Sequence, residues 1–250
     1  MPTHDTQDLT LVMPDDLEDE LGLSADTLAA LQHFYLEQDI DLRAFEDLKS
    51  STDESGERKL LSISAFKEDW NASQFWFTDD TAEFLARQLL LHSTSESSIA
   101  IISAPSIFLQ AQKLLLTGQY PLPTRLCLLE YDERFDLLEG FVKYDFNDPT
   151  NLPADMDGQF DLIVCDPAYH SEACIVQYAK SCKWLTKAVD VKSDRSRSIK
   201  MVCTGEALQD VVTESFAPIS ITSFHPRHTV RLDNRYACYA NFELEIHQDL

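Results

Sequence analysis

FDLIVCDPAYHSE, residues 160–172, decides the fold. It is apolar from Leu162 to Cys165 and then stops at Asp166-Pro167-Ala168-Tyr169. A solidly apolar run, rather than an alternating one, predicts a strand covered on both faces, as in a parallel sheet. The Asp-Pro step ends it, since Asp-Pro initiates turns. EACIVQYAKSCKWL (172–185) then restores apolar residues at helical spacing. The stretch is therefore one strand–turn–helix unit.

The same unit recurs on both sides. IAIIS (99–103) precedes a helical SIFLQAQKLLL, and LCLLE (126–130) precedes a short helix over 132–139. FVKYD (141–145) is a strand, and IKMVC (199–203) leads into the helical EALQDVVTESF. ISITSF (219–224) and RYACYANFE (235–243) are strands with no helix between them. The pattern predicts an α/β fold: a doubly wound, seven-stranded, mostly parallel sheet with one antiparallel strand.

Upstream, Thr78 or Asp79 caps a helix through TAEFLARQLLLH. SADTLAALQHFYLEQ (24–38) predicts a helix with Ser24 as N-cap and Leu28, Leu31 and Tyr35 on one face. Residues 49–59, KSSTDESGERK, are polar and aperiodic and predict a linker, and 1–22 predict an acidic tail. The expected organisation is a tail over 1–22, a helix and linker over 23–67 and the α/β domain over 68–250. The basic stretch 186–197 is expected as a loop within the last crossover.

The chain has 250 residues and a net charge of −23. That balance disfavours a dedicated nucleic-acid binder, which needs a basic face for the phosphates. It suits a basic protein partner, although simple solubility explains it equally. The six cysteines lack C-x-x-C spacing, and four lie in apolar runs. They are expected as reduced thiols rather than a disulfide or zinc framework. The N-terminus lacks the features of a secretory signal, and no run approaches the ~20 apolar residues of a membrane span. A soluble, cytoplasmic monomer is the expectation.

Ligands of open α/β sheets bind beyond the carboxyl ends of the strands. Four predicted strands end suggestively, in Ser103-Ala104-Pro105-Ser106, Glu130-Tyr131-Asp132, Tyr144-Asp145-Phe146-Asn147 and Asp166-Pro167-Ala168-Tyr169. An acid after the second strand can take both hydroxyls of a ribose. An acid–aromatic pair after the third can bind an adenine amine and cover its face. Asp166 and the Pro167 carbonyl can accept the two hydrogens of an amine nitrogen, with Tyr169 offering a ring face. Each feature alone equally fits a solvated turn. Neither G-x-G-x-x-G nor a Walker loop is present, and Pro105 removes one amide donor from the first loop.

Asp-Pro-Ala-Tyr resembles the [D/N/S]-P-P-[F/Y/W] motif of amino-group methyltransferases. With SQFWFTDDTAEFLA, SAPSIF, LLEYDERF, YDFNDP, FDLIVCDPAYHSEAC, MVCTG and SFHPRHTVRLDNRYACYANFE, the chain resembles the eukaryotic lysine methyltransferases of translation elongation factor 1-alpha, first described as N6-adenine methyltransferases. The likeness runs over residues 23–243. It implies a Rossmann-like class I methyltransferase that uses S-adenosyl-L-methionine, with elongation factor 1-alpha as protein substrate. It implies that Ser103 and Pro105 lie beside the methionine part, that Glu130 takes the ribose, and that Asp145 and Phe146 hold the adenine. Asp166, Pro167 and Tyr169 would hold the target amine. Phe75 and Trp76 would fold over the cofactor and Phe77 would line the amine channel, or all three would be core. Arg227 and His228 would contact substrate if their loop folds back.

One departure is Ala168, where the family carries a second proline. His225 and His228 have metal-ligand spacing but no third ligand, so no metal is expected. Two alternatives stay open from the residues: methylation of adenine N6 in nucleic acid, with the base stacked on Tyr169, and a non-catalytic binding module.

Overall fold

The computed structural model describes residues 63–66, 68, 74–188, 198–231 and 234–245. The predicted tail, the helix over 24–38, the linker and most of the 186–197 loop lie outside the described residues.

Helix α1 (Asp79–Leu91) leads into β1 (Ser98–Ile102), α2 (Pro105–Leu116), β2 (Arg125–Glu130), β3 (Phe141–Lys143) and β4 (Leu162–Cys165). Then come α3 (Glu172–Leu185), β5 (Ile199–Gly205), α4 (Gln209–Ser215), β6 (Ser220–Ile221) and β7 (Tyr236–Ala240). One sheet holds all seven strands in the order β3-β2-β1-β4-β5-β7-β6. The first five pair in parallel, and β7 runs antiparallel between β5 and β6. The expected doubly wound sheet with a single reversed strand is the one observed.

The apolar runs are solid because both faces are covered. Along β1, Ala100 and Ile102 join a buried cluster with Ile163, Cys165, Cys174 and Ile175, on the α3 face. The intervening Ile99 and Ile101 point the other way and are equally buried. α1 and α2 pack together and α2 contacts β1 and β2, while α3 packs with α4. All six cysteines are buried and unbridged.

Local chemistry fixes the helix starts. The Thr78 hydroxyl accepts the Thr81 amide, and Asp79 and Asp80 occupy the positive end of α1. The Ser171 hydroxyl does the same for α3, accepting the Cys174 amide. Several boundaries differ from expectation. The segment after β2 is a single 3-10 run, Glu133–Leu137, started by the Asp132 side chain accepting the Arg134 amide at 2.9 Å. β3 stops at Lys143, two residues early, before a turn in which Asp148 N donates to Asp145 O at 3.0 Å. The helix over 206–216 divides into a 3-10 turn and α4, and the edge strand β6 has two residues.

Gly140 precedes β3 at φ +91°, and a Cβ there would lie 2.3 Å from the Leu126 carbonyl oxygen. Only glycine lets this loop lie against β2. Strand order reverses about β1, whose neighbours are β2 and β4. That places a crevice beyond the carboxyl ends of these three strands.

Candidate active site

The crevice is a cleft of about 890 Å³, within the usual range of roughly 300–1,000 Å³ for small-molecule sites. Phe75, Trp76, Ser103, Pro105, Glu130, Asp145, Phe146, Asp166, Pro167 and Tyr169 all line it, as does His228.

At the end of β1, Ser103 takes φ +53°, and its amide donates to Leu129 O at 2.8 Å. This left-handed residue, uncommon for non-glycine, tips the chain sharply into α2. Pro105 is the first residue of α2, where the missing N–H has no helical partner to lose. The sequence-level objection to Pro105 therefore lapses. The preceding Ala104 supplies the first amides of α2 with no side-chain cap, at a cleft wall that Ser106 also lines. Such a helix start suits a carboxylate.

Glu130 ends β2 and is 6% exposed. Its Oε1 accepts the amides of Tyr131 at 2.8 Å and Asp132 at 3.1 Å. Among the described residues nothing donates to Oε2. Burial lifts the carboxyl to about 7, outweighing the two amides that pull it down. An acceptor this costly to bury fits a ligand that brings hydroxyl donors. Beside it, Gln74 Nε2 donates to Asp132 Oδ2 at 2.9 Å, and Arg134 Nη2 donates to Gln74 Oε1 at 2.8 Å. This ties the N-terminal aromatic segment to the end of β2.

Beyond β3, Asp145 Oδ1 accepts the Asn147 amide at 2.8 Å, and Phe146 stands over the cleft. The Phe146 ring lies 6.1 Å from Tyr178, nearly parallel, and 5.6 Å from Tyr169. Tyr169 is 43% exposed at the mouth.

Asp166 follows β4, and its amide donates to Ile102 O at 3.1 Å. Enclosure by protein holds its carboxyl well above the usual carboxylate range, and the nearby Glu130 adds to this. The Tyr236 hydroxyl, donating to Oδ1 at 3.4 Å, pulls the other way. Tyr178 Oη donates to Ser103 Oγ at 2.8 Å and accepts the Ala168 amide at 3.4 Å. The departure at Ala168 thus restores an N–H that a second proline would lack. That N–H links the motif to the end of β1.

Three of these cleft residues were missed from sequence. Tyr178 sits nearly two turns into an amphipathic helix, where a tyrosine reads as core. Tyr236 and His170 read as a strand residue and a turn residue. The signal for Tyr236 was the reversed β7, which pairs Tyr236 with Gly205. An antiparallel strand starts at the end where the parallel strands finish.

Two predicted substrate residues fall outside the cleft wall. Phe77 is 1% exposed and packs against His228 at 4.6 Å and Tyr236 at 6.4 Å. Trp76 and Phe77 are both buried, but Trp76 still borders the cleft whereas Phe77 is covered by His228 and Tyr236. Arg227 is exposed, and its backbone engages Thr78 N at 2.9 Å and Thr81 Oγ1 at 3.1 Å. That anchoring brings His228 into the cleft and leaves the Arg227 side chain outside it. Trp76 is itself pinned, with Nε1 donating to Phe66 O at 2.8 Å and its ring edge-on to Phe135. His225 Nδ1 lies 3.2 Å from Tyr236 O, and no cluster of metal-ligating side chains occurs among the described residues. No helix among them is long and apolar enough to cross a membrane.

A family model described as probable N6-adenine methyltransferase matches residues 68–244. The protein-lysine N-methyltransferase EFM5 of Saccharomyces cerevisiae is 37% identical over 229 residues, 88% of this chain and 92% of that protein. EEF1A lysine methyltransferase 1 is 37% identical in Gallus gallus, over 92% of this chain and 98% of that protein. In Homo sapiens it is 33% identical, over 91% and 96%. Among solved structures, a branched-chain polyamine synthase mutein from Thermus thermophilus aligns with a TM-score of 0.47 and 14% identity, over 71% of this chain and 62% of that one.

Proposed function

This chain belongs to the family described as probable N6-adenine methyltransferases, whose relatives include protein-lysine methyltransferases, and we propose that it transfers methyl from S-adenosyl-L-methionine to a lysine of translation elongation factor 1-alpha. The observation that carries this reading is the single cleft in which Asp166, Pro167 and Tyr169 stand with Glu130. The names of the relatives and the acidic balance of −23 support a protein acceptor over a nucleic acid. We read the protein as a cytoplasmic monomer, a reading that its six unbridged thiols support as to compartment.

The residues fit the methyl donor. Glu130 would accept the ribose hydroxyls, Asp145 the adenine amine, and Phe146 would cover the base. The open start of α2 beside Ser103 and Pro105 would take the amino-acid carboxylate, with Phe75 and Trp76 closing the near side. When bound, the donor supplies a methyl group activated by a sulfonium.

A lysine arrives as an ammonium and is no nucleophile until it loses a proton. Tyr169 would lay ring surface along its stem, and the desolvation that this brings favours the neutral amine. Asp166 takes the proton. Its elevated carboxyl narrows the gap to the ammonium, so the transfer costs less than to an exposed aspartate. The Pro167 carbonyl accepts a remaining N–H, and the proline ring fixes that carbonyl's direction. The lone pair then points along the line of methyl transfer, an alignment that can contribute about 7–11 kcal/mol.

The test incubates labelled S-adenosylmethionine with purified elongation factor 1-alpha. Label in a lysine of the factor is expected. Intact donor binding without label transfer would overturn the assignment.

A further inference from the structure

Methylation of an ammonium leaves one proton to dispose of, and Asp166 is half-buried in the wall of the cleft that the substrates would fill. Three cleft side chains with no role so far, Tyr236, His170 and Asn234, connect it to the outside. The Tyr236 hydroxyl donates to Asp166 Oδ1 at 3.4 Å. His170 Nε2 lies 2.9 Å from Tyr236 Oη, and Asn234 Nδ2 lies 3.2 Å from His170 Nδ1. Tyr236 is half-buried, whereas His170 and Asn234 are exposed. The chain of contacts therefore runs from the half-buried carboxyl to exposed side chains of the cleft wall.

We propose that Tyr236 and His170 form a relay that carries the lysine proton from Asp166 to solvent. The proposal rests on the lysine-methylation reading. The ammonium gives its proton to the Asp166 carboxylate. Asp166 passes a proton to Tyr236 Oη as the tyrosine hydroxyl gives its own to His170 Nε2. The imidazolium then releases its Nδ1 proton to water. Asp166 ends as a carboxylate, Tyr236 and His170 end neutral, and one proton reaches solvent. The tautomers of the exposed ring reset by exchange with water, and the Asn234 amide serves either one by presenting Nδ2 or Oδ1.

The surroundings suit concerted passage. Burial and the nearby Asp166 disfavour a Tyr236 phenolate, so its hydroxyl hands on a proton only as it receives one. Partial burial of its ring against Gly205 and Tyr236 holds His170 below its ordinary value, leaving it a neutral acceptor. Among the described residues, the other groups facing the relay are His228, Glu130, two thiols and one ion pair. His228, edge-on to Tyr236 at 4.4 Å, is held down to about 4 by burial and by His170. Glu130 acts on Asp166; of the thiols near Tyr236, Cys203 is pushed up by its contact with Cys238 and by burial, and Cys174 by burial. Glu206 and Arg235, 3.7 Å apart, flank Gly205 and Tyr236, and Gly205 lies against the His170 ring.

Tyr236→Phe is expected to keep donor affinity within about twofold while lowering methyl transfer at neutral pH by about 100-fold, the low end of general acid–base effects. The deficit should shrink toward pH 9, because more of the lysine, with an ordinary pKa of about 10.4, arrives neutral. His170→Ala should show a comparable loss, reversed by added imidazole. A structural role alone would give a pH-independent loss without rescue, and that result overturns the relay. A second readout needs no turnover. By NMR, Asp166→Asn should move the His170 titration midpoint in the parent but not in a Tyr236→Phe background; no movement in either overturns the relay. If the parent binds donor yet methylates nothing, the function fails and the NMR coupling alone decides whether the proton path exists.

Discussion

Glu130→Gln separates the stability of this fold from its ligand binding. The Glu130 carboxyl moves from 4.5 to about 7 on folding because burial outweighs the two amides on Oε1. Between those values the folded chain keeps a proton that the unfolded chain releases. Stability therefore falls as pH rises from 4.5 and levels off above 7. At 1.36 kcal/mol per pKa unit the ionised side chain costs the empty protein about 3 kcal/mol at pH 8. Glutamine can still accept the Tyr131 and Asp132 amides but brings no charge. The variant should thus gain up to about 3 kcal/mol at pH 8 and nothing below pH 4.5, measured by urea unfolding at both values. Donor binding should move oppositely. A ribose diol loses a charge-assisted acceptor worth about 1.5–3 kcal/mol, so Kd should rise about 10- to 150-fold by calorimetry. In the parent, affinity should increase as pH rises through about 7, because the hydroxyls need the ionised carboxylate; the variant should lack that rise. A variant that is both less stable at pH 8 and unchanged in donor affinity would refute the placement of the ribose.

Other perturbations test the supports of the cleft. Gly140→Ala forces a methyl to within 2.3 Å of the Leu126 carbonyl oxygen at φ +91°, and unfolding should show a loss of at least about 1–3 kcal/mol. Tyr178→Phe leaves Ser103 Oγ and the Ala168 amide without their shared partner; a loss of about 1–3 kcal/mol, divided between stability and donor affinity, is expected from unfolding and calorimetry. Trp76→Phe leaves the buried Phe66 carbonyl without the indole N–H and should cost about 1–3 kcal/mol in unfolding while weakening donor binding several-fold. Unchanged donor affinity would instead leave Trp76 a core residue only.

The sheet was legible because parallel strands buried on both faces are written as solid apolar runs. FDLIV, IAIIS and LCLLE leave little room for another interpretation. Strand ends were harder to place. β3 stops early because the Asp145 turn competes for its backbone, and a tyrosine and an acid in sequence do not announce that. The site was legible where one strand end supplied its own chemistry, as at Glu130 and Asp166. It was not legible where the contribution came from elsewhere in the chain. Tyr178 reaches Ser103 from 75 residues away and Tyr236 reaches Asp166 from 70. Phe77 shows the converse. An aromatic triplet reads as a binding wall, but Phe77 is covered by His228 and Tyr236 and belongs to the core.

The most direct measurement compares methyl transfer to purified elongation factor 1-alpha by the parent and by Asp166→Ala, with donor affinity determined for both. The account predicts label in a lysine of the factor with the parent. It predicts at least a 100-fold loss with Asp166→Ala, as expected when a proton acceptor is removed, with donor affinity nearly unchanged. A parent that binds donor without labelling the factor, or an Asp166→Ala protein that labels it at the parent rate, would contradict it.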